Sequence, residues 1–417
     1  MVIAGEASGD LLGSELVEML RQELNRPEEI QTRDYQPLHA SLEPTFFGAG
    51  GPHLAAAGVD LAFDLTVHSV TGLSEVFGKY FTFRKLFQQL YRLALEREPD
   101  AILCVDFSGF NRRFAHAIRT YVRSRRGWFH DWQPKIVQYI SPQVWASREG
   151  RAYQMAQDYD LVLSIFPFER EWYARKVPKL KVEFVGHPMI ERFASVPSKG
   201  LAVAAEREAA SAEDRGSVLL LPGSRASELT RHLPVMLAAL RLVREKMSGV
   251  QARMVLPNER VAALAAGFGM PDDVEIQIGD LPQALMRADL AIASTGTVTM
   301  ECAYFGVPTV ALYKTSWSTF QIGKRLVKVK YLAMPNLLAG EQIVPEFIQG
   351  MATPANIAGA ALKLLNDGVQ RRRVKEKFAE IIGSLGGPGA TRRAAQEIVR
   401  VLDPVNARKL LAARVSS

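Results

Sequence analysis

Short apolar runs alternate along the chain with longer stretches in which apolar residues recur at helical spacing. Ten runs stand out, at residues 2–4, 101–105, 136–140, 161–165, 182–185, 218–221, 253–256, 274–278, 290–293 and 309–313. Each is followed by a helix-like stretch. Such alternation is the pattern of parallel strands joined by helical crossovers. Five runs precede the polar, alanine-rich stretch 195–216 and five follow it, so the pattern predicts two parallel sheets with a domain joint between them. The expected division is 1–194 and 195–352. Residues 353–417 read as helical, broken only at "GSLGGPGA", and are expected to pack back on the first domain.

Composition fits two folded domains and excludes several classes. A length of 417 residues exceeds what one hydrophobic core usually supports, and 48% hydrophobic with 23% charged residues argues against disorder. No apolar run approaches the roughly 18 residues needed to span a bilayer. Glu6 and Asp10 stand where a secretion signal would be basic and then apolar, so a cytoplasmic chain is expected. Cys104 and Cys302 each lie in an apolar run and read as buried, inert thiols rather than metal ligands. A net charge of +7 suits phosphate-bearing substrates, an anionic membrane or nucleic acid, and selects none of them. Basic clusters at 119–126, 323–330 and 371–377 have helical spacing and read equally as solvated faces.

Open parallel sheets bind ligands beyond the carboxyl ends of their strands, so the residues after each apolar run carry the functional reading. After the first comes "GEASGD". Ser8 there suits a helix cap, which leaves Glu6, ahead of the cap, unexplained. Asp106 in "CVDFSGFN" is placed to act as a base or to cap the next helix. In the second half, "LLPGSRASE" runs from strand through Ser224 and Arg225 into a helix, an arrangement suited to a diphosphate. It is not a Walker loop. In "STGTVTMECAYFGVP", Thr295 and Gly296 lead a helix bearing Glu301, a pairing that can hold a phosphate and accept sugar hydroxyls, though an ordinary cap would look alike. His187 in "FVGHP" is a candidate phosphate or base donor, or a buried structural histidine. Asp158-Tyr159-Asp160 opens a strand, at the wrong end for a metal site. Residues 65–95 mix aromatic, aliphatic and basic positions, as either a buried helix or one lying in a membrane interface would.

These residues, in collinear order over about 1–350, resemble the lipid-A-disaccharide synthases: "GEASGDLLG", "SPQVWASR", "FPFE", "FVGHP", "LLPGSRASE", "GTVTMECAYFGVP" and "PNLLAG". The resemblance implies two Rossmann-like parallel-sheet domains facing a cleft, the α/β arrangement called GT-B, with a helical C-terminal tail. It implies an inverting glycosyltransferase that joins UDP-2,3-diacylglucosamine to 2,3-diacylglucosamine 1-phosphate (lipid X) and releases UDP. By the same resemblance Asp106 is the candidate base, with Glu6 orienting it or a substrate. Ser8, Asp10, Asn111, His187, Ser224, Arg225, Thr295, Gly296, Thr297, Glu301 and Asn336 are the candidate substrate contacts. No cofactor, metal or nucleic acid is called for. Peripheral association with the inner membrane is expected through 65–95, and a homodimer is compatible. The family pattern is departed from at Gln143, Ser147, Glu191 and the longer 294–297 turn. A UDP-sugar epimerase of the same architecture and a non-catalytic lipid or nucleotide binder are the rival readings.

Overall fold

The computed structural model of the chain describes residues 1–25, 44–69, 76–125, 127, 130–194 and 216–402. They form two compact units, Met1–Pro188 together with Gly387 onward, and Met189–Gly386. The first begins β1 (Val2–Ala4), α1 (Ala7–Leu24), β2 (Phe47–Gly50), α2 (Pro52–Ala56), β3 (Asp60–Asp64), α3 (Thr66–Ser69) and α4 (Val76–Arg97). It continues β4 (Ala101–Val105), α5 (Ser108–Arg125), β5 (Lys135–Tyr139), α6 (Arg151–Asp158), β6 (Leu161–Ser164), α7 (Pro167–Lys176) and β7 (Val182–Phe184). After α8 (Pro188–Ala194) the second unit runs β8 (Ser217–Leu221), α9 (Ala226–Lys246), β9 (Gln251–Leu256), α10 (Glu259–Ala266), β10 (Val274–Ile278) and α11 (Leu281–Met286). It closes with β11 (Leu290–Ser294), α12 (Thr297–Tyr304), β12 (Thr309–Tyr313), α13 (Trp317–Leu326), α14 (Met334–Ala339), β13 (Glu346–Ile348), α15 (Pro354–Asn366) and α16 (Gly368–Ser384). The last helix, α17 (Ala390–Leu402), belongs to the first unit.

Both sheets are parallel throughout. The first is ordered β3-β2-β1-β4-β5-β6-β7 and the second β10-β9-β8-β11-β12-β13. Each chain segment therefore builds outward from its first strand in one direction, then returns to build in the other. The reversal falls between β1 and β4, where Ala4 pairs with Val105, and between β8 and β11, where Ala293 pairs with Leu221. At such switch points two strand-to-helix loops diverge to opposite faces and leave a crevice at the carboxyl edge. The central strands are apolar because helices cover both of their faces: Val2, Ile3, Ala4, Ile102, Cys104, Leu220 and Ile292 are fully buried. Burial pushes the thiols of Cys104 and Cys302 up to about 12, as expected of inert cysteines.

The ten expected strands are all present, within one or two residues. Three further strands, β2, β3 and β13, lie away from the sheet centres. β2 is "FGAG", in which glycine hides the strand pattern. β3 and β13 are edge strands with half-exposed residues. The unit boundary falls at Pro188, ahead of the expected joint, because Phe193 of α8 packs on Tyr304 and Phe305 of the second unit. Of the tail, α15 and α16 stay with the second sheet. Only α17 returns to the first unit, where Arg393 donates to the Val185 carbonyl (2.7 Å) and Glu397 meets Lys181 (3.0 Å). The linker 195–215, residues 70–75 of the amphipathic stretch, Arg126 and the end of the tail lie outside the described residues.

Candidate functional site

The loops after β1 and β4 interlock at the first switch point. Gly5 is required by contact, since a Cβ there would lie 2.1 Å from the Phe107 ring. Phe107 in turn follows Asp106, and both sit in the left-handed region at φ +41° and +47°. Non-glycine residues held there cost about 1–3 kcal/mol each, so the surroundings must over-determine the turn. They do so with two buried amides. Asn111 Nδ2 donates to the carbonyls of Asp106 (2.9 Å) and Val105 (3.3 Å). Gln138 Nε2 donates to those of Asp106 (3.1 Å), Tyr139 (3.1 Å) and Ile140 (3.2 Å), while Gln138 Oε1 accepts from Tyr159 Oη (3.2 Å). The reversed orientation would set an oxygen against three carbonyls, so the network fixes the amide. Ile140, itself at φ +65°, shares this support. Asp106 stands half-exposed at the end of it.

The N-cap of α1 is Glu6, not Ser8; Ser8 is exposed in the first turn. Asp10 is buried, and its carboxylate accepts from the amides of Gly51 (2.6 Å), His53 (2.9 Å) and Leu54 (3.2 Å), holding the start of α2. Asn111 is fully buried beneath Asp106. His187 is buried, its ring against Phe166 (5.6 Å between centroids). Asp158 is bonded to His116 and Asp160 to Arg119.

A buried carboxyl ties together two of the motifs. Glu169 Oε1 accepts from Trp145 Nε1 (2.9 Å) and Oε2 from the Phe166 amide (3.3 Å), so "SPQVW" and "FPFE" are held against each other. Burial raises Glu169 to about 7, opposed by the hydrogen bonds from Trp145, Phe166 and Ser141.

The second switch point is built differently. Gly223, at φ +117°, leads from β8 toward α9, and a Cβ there would come within 2.4 Å of Glu228 Oε2. The Ser224 amide donates to that oxygen (3.2 Å), and Arg225, the N-cap of α9, lies 3.9 Å from the same carboxylate. Beneath the loop, His232 is fully buried. The Lys314 amide donates to its Nε2 (3.0 Å), which leaves Nδ1 protonated and donating to the Pro222 carbonyl (2.8 Å). Burial lowers its proton affinity, consistent with a neutral ring. After β11, Gly296 caps α12, Thr295 and Thr297 are at least partly exposed, and Thr299 Oγ1 closes the turn on the Gly296 carbonyl (2.7 Å). Burial raises the Glu301 carboxyl to about 7, with Arg192 pulling it down. Asn336 is buried and spends its amide within the fold: Oδ1 accepts from Ile343 and Val344, and Nδ2 donates to Val344 and Glu346.

Gln138 and His232 carried no signal in the sequence, and Glu169 entered it only as the end of "FPFE", with no role of its own. Each sits inside or beside an apolar run, where a polar residue is legible only as an interruption.

The family model for lipid-A-disaccharide synthetase (LpxB) matches residues 1–398. A lipid-A-disaccharide synthase of Geobacter metallireducens is 36% identical over 408 residues, 96% of this chain and 97% of that protein. Among solved structures, the glycotransferase of kitacinnamycin matches with TM-score 0.56 at 18% identity, over 96% of this chain and 97% of that one. A putative UDP-N-acetylglucosamine 2-epimerase from Listeria monocytogenes matches with TM-score 0.54 at 16% identity, over 96% and 95%. At that identity both speak for the fold alone.

Proposed function

The chain belongs to the lipid-A-disaccharide synthetase family, and from that membership we propose how its residues carry out the transfer. It is a glycosyltransferase, moving 2,3-diacylglucosamine from UDP-2,3-diacylglucosamine to 2,3-diacylglucosamine 1-phosphate. A UDP-sugar epimerase is not favoured, since the epimerase likeness extends to the fold and not to the sequence family.

Asp106 is assigned the base. It takes the proton of the acceptor's 6-hydroxyl as that oxygen bonds to the anomeric carbon of the donor; the bond from that carbon to the UDP oxygen breaks with inversion, giving a β-1,6 link. The observation that carries this assignment is the turn at Asp106, strained and clamped at the β1/β4 switch point. Glu6, at the start of α1 across that switch point, is assigned to orienting substrate. The second unit is assigned the donor: Arg225 and the turn 294–297 meet the diphosphate as it gathers negative charge, and Glu301 accepts from sugar hydroxyls. Asp10 and Asn336, whose polar atoms are engaged within the fold, and Asn111, whose Nδ2 donates to the carbonyls of Val105 and Asp106, are assigned to holding these loops.

Lipid substrates call for contact with a membrane surface, which we assign to the start of α4. Its later residues Leu86, Leu90 and Ala94 are buried in the core, whereas Phe81 is 75% exposed. Among the described residues no helix is long and apolar enough to cross a membrane. Flotation with anionic vesicles tests this: Phe81→Ser is expected to weaken recovery with the vesicles, and unchanged recovery contradicts the assignment.

The transferase reading is tested by incubating the protein with donor, acceptor or both. UDP release is expected only with both. Conversion of the donor alone to an epimeric UDP-sugar, read by NMR, would favour the epimerase, and no reaction under any condition a binding protein.

A further inference from the structure

The two ends of α5 treat their arginines differently. Toward its C-terminus, Arg119 pairs with Asp160 and Arg123 donates to the Gln157 carbonyl (2.7 Å). Near its N-terminus, among the described residues, Arg112 bonds only to the neutral Gln154 side chain and Arg113 faces no acid. Among the described residues neither they nor Arg148 and Arg151, which flank the start of α6, meet a carboxylate. The nearby acids are engaged elsewhere: Glu149 with Lys176 (3.2 Å) and Asp158 with His116 (3.1 Å).

The four belong to one cluster. Arg112 reaches from α5 to α6, where its Nη1 donates to Gln154 Oε1 (3.2 Å). The Arg151 amide donates to the Arg148 carbonyl (3.0 Å), and Arg148 is held at φ +61°. Burial first, and then the positive fields of Arg113 and Arg148, lower the proton affinity of the Arg112 guanidinium, against the opposing effects of Tyr159 and Asp158. Arg151 is lowered by burial and then by Arg112, Arg148 and Arg113 in turn. Arg112 Nε is buried without a partner. Arg112 and Arg151 are half-buried and Arg113 and Arg148 exposed, and like charges gathered around an unsatisfied buried donor mark a site that an anion would complete.

We propose that Arg112, Arg113, Arg148 and Arg151 form a phosphomonoester subsite that grips the 1-phosphate of the lipid-bearing acceptor. The proposal rests on the reading of this chain as the transferase and of its first unit as the acceptor side. Position supports it. Arg112 and Arg113 lie about 6–8 Å along the helix that Asp106 leads into, and Arg148 and Arg151 follow the neighbouring strand β5, all toward the carboxyl edge of the sheet. The acceptor carries phosphate at C1 and the attacking hydroxyl at C6, across one pyranose ring. A planar fork of guanidinium donors on the phosphate would hold the sugar at one end while the hydroxyl at the other is presented to Asp106.

The test is steady-state UDP release in neutral detergent micelles free of phospholipid, with the acceptor and with the same diacylated sugar lacking its 1-phosphate. The double variant Arg148→Gln/Arg151→Gln is expected to raise KM for the phosphorylated acceptor about 10–100-fold while KM for the donor stays put. Wild-type protein should lose a similar factor on the dephosphorylated acceptor, and the variant should lose little more. Equal losses on both acceptors would overturn the proposal. So would a defect seen only when phosphatidylglycerol vesicles replace the micelles, which would assign the arginines to the membrane headgroups. Arg113→Gln, at an exposed position, gives the same sign should the double variant fail to accumulate; an unchanged KM there would count against the subsite. If wild type releases no UDP with either acceptor, the transferase reading fails instead.

Discussion

Both units make the same turn, from the first strand beyond a switch point into a helix, yet they make it with different residues. The second unit bends there at Gly296, as it does after β8 at Gly223, and both glycines enter positive φ without a side chain to strain. The first unit bends at Asp106 and Phe107 and supports the strain with Asn111 and Gln138. The difference tracks the chemistry assigned to each. A diphosphate can be held by backbone amides and a helix start, for which glycine suffices. A proton acceptor must be a side chain, so the strained position keeps one.

The comparison can be broken most sharply at Asp106. Asp106→Asn, with both substrates saturating, is expected to lower kcat by about 10²–10⁴. Next comes its support. Gln138→Leu removes the donor that three carbonyls share, leaving that of Asp106 to Asn111 and that of Tyr139 to the Asp106 amide, and we expect kcat to fall about 10–100-fold through misplacement of the turn. Denaturant unfolding should show a loss of about 1–3 kcal/mol. A core change of equal destabilisation, such as Ile118→Ala, should leave kcat near wild type and so separates positioning from stability. Gly223→Ala tests the other side of the comparison: a strained φ and a clash with Glu228 should cost about 1–3 kcal/mol of stability and weaken UDP binding measured by calorimetry.

The smallest effect concerns pH. Glu169 has a folded-state value of about 7, above its ordinary 4.5, so the folded protein holds an extra proton between those values and stability falls as pH rises through that window. Glu169→Gln should flatten this part of the profile, read from urea midpoints at about pH 5 and about pH 7.5. An unchanged slope would show that the buried carboxyl is not the group responsible.

The architecture was legible because its strands are buried on both faces and so appear as unbroken apolar runs. What escaped was marginal in that physical sense. The "FGAG" of β2 carries too little side chain to be seen, and β13 is a half-buried edge. The loops that carry the candidate chemistry were also legible, as the polar residues following each run. Their supports were not. Gln138 breaks an apolar strand and His232 an amphipathic helix, and nothing local distinguishes either from a tolerated polar residue. Their roles exist only once Asp106 and Tyr139, or Pro222 and Lys314, are brought together by strands distant in sequence. Ser8 was misjudged for the opposite reason. A good capping residue lay two positions too far along, and the chain capped the helix at Glu6.

The central claim is that the carboxylate of the first unit does chemistry while the second unit holds the nucleotide. Calorimetric titration of UDP into Asp106→Asn, alongside its turnover, tests this most directly. The account predicts a dissociation constant close to wild type together with the loss of kcat stated above. Retained turnover, or loss of UDP affinity in step with turnover, would contradict it.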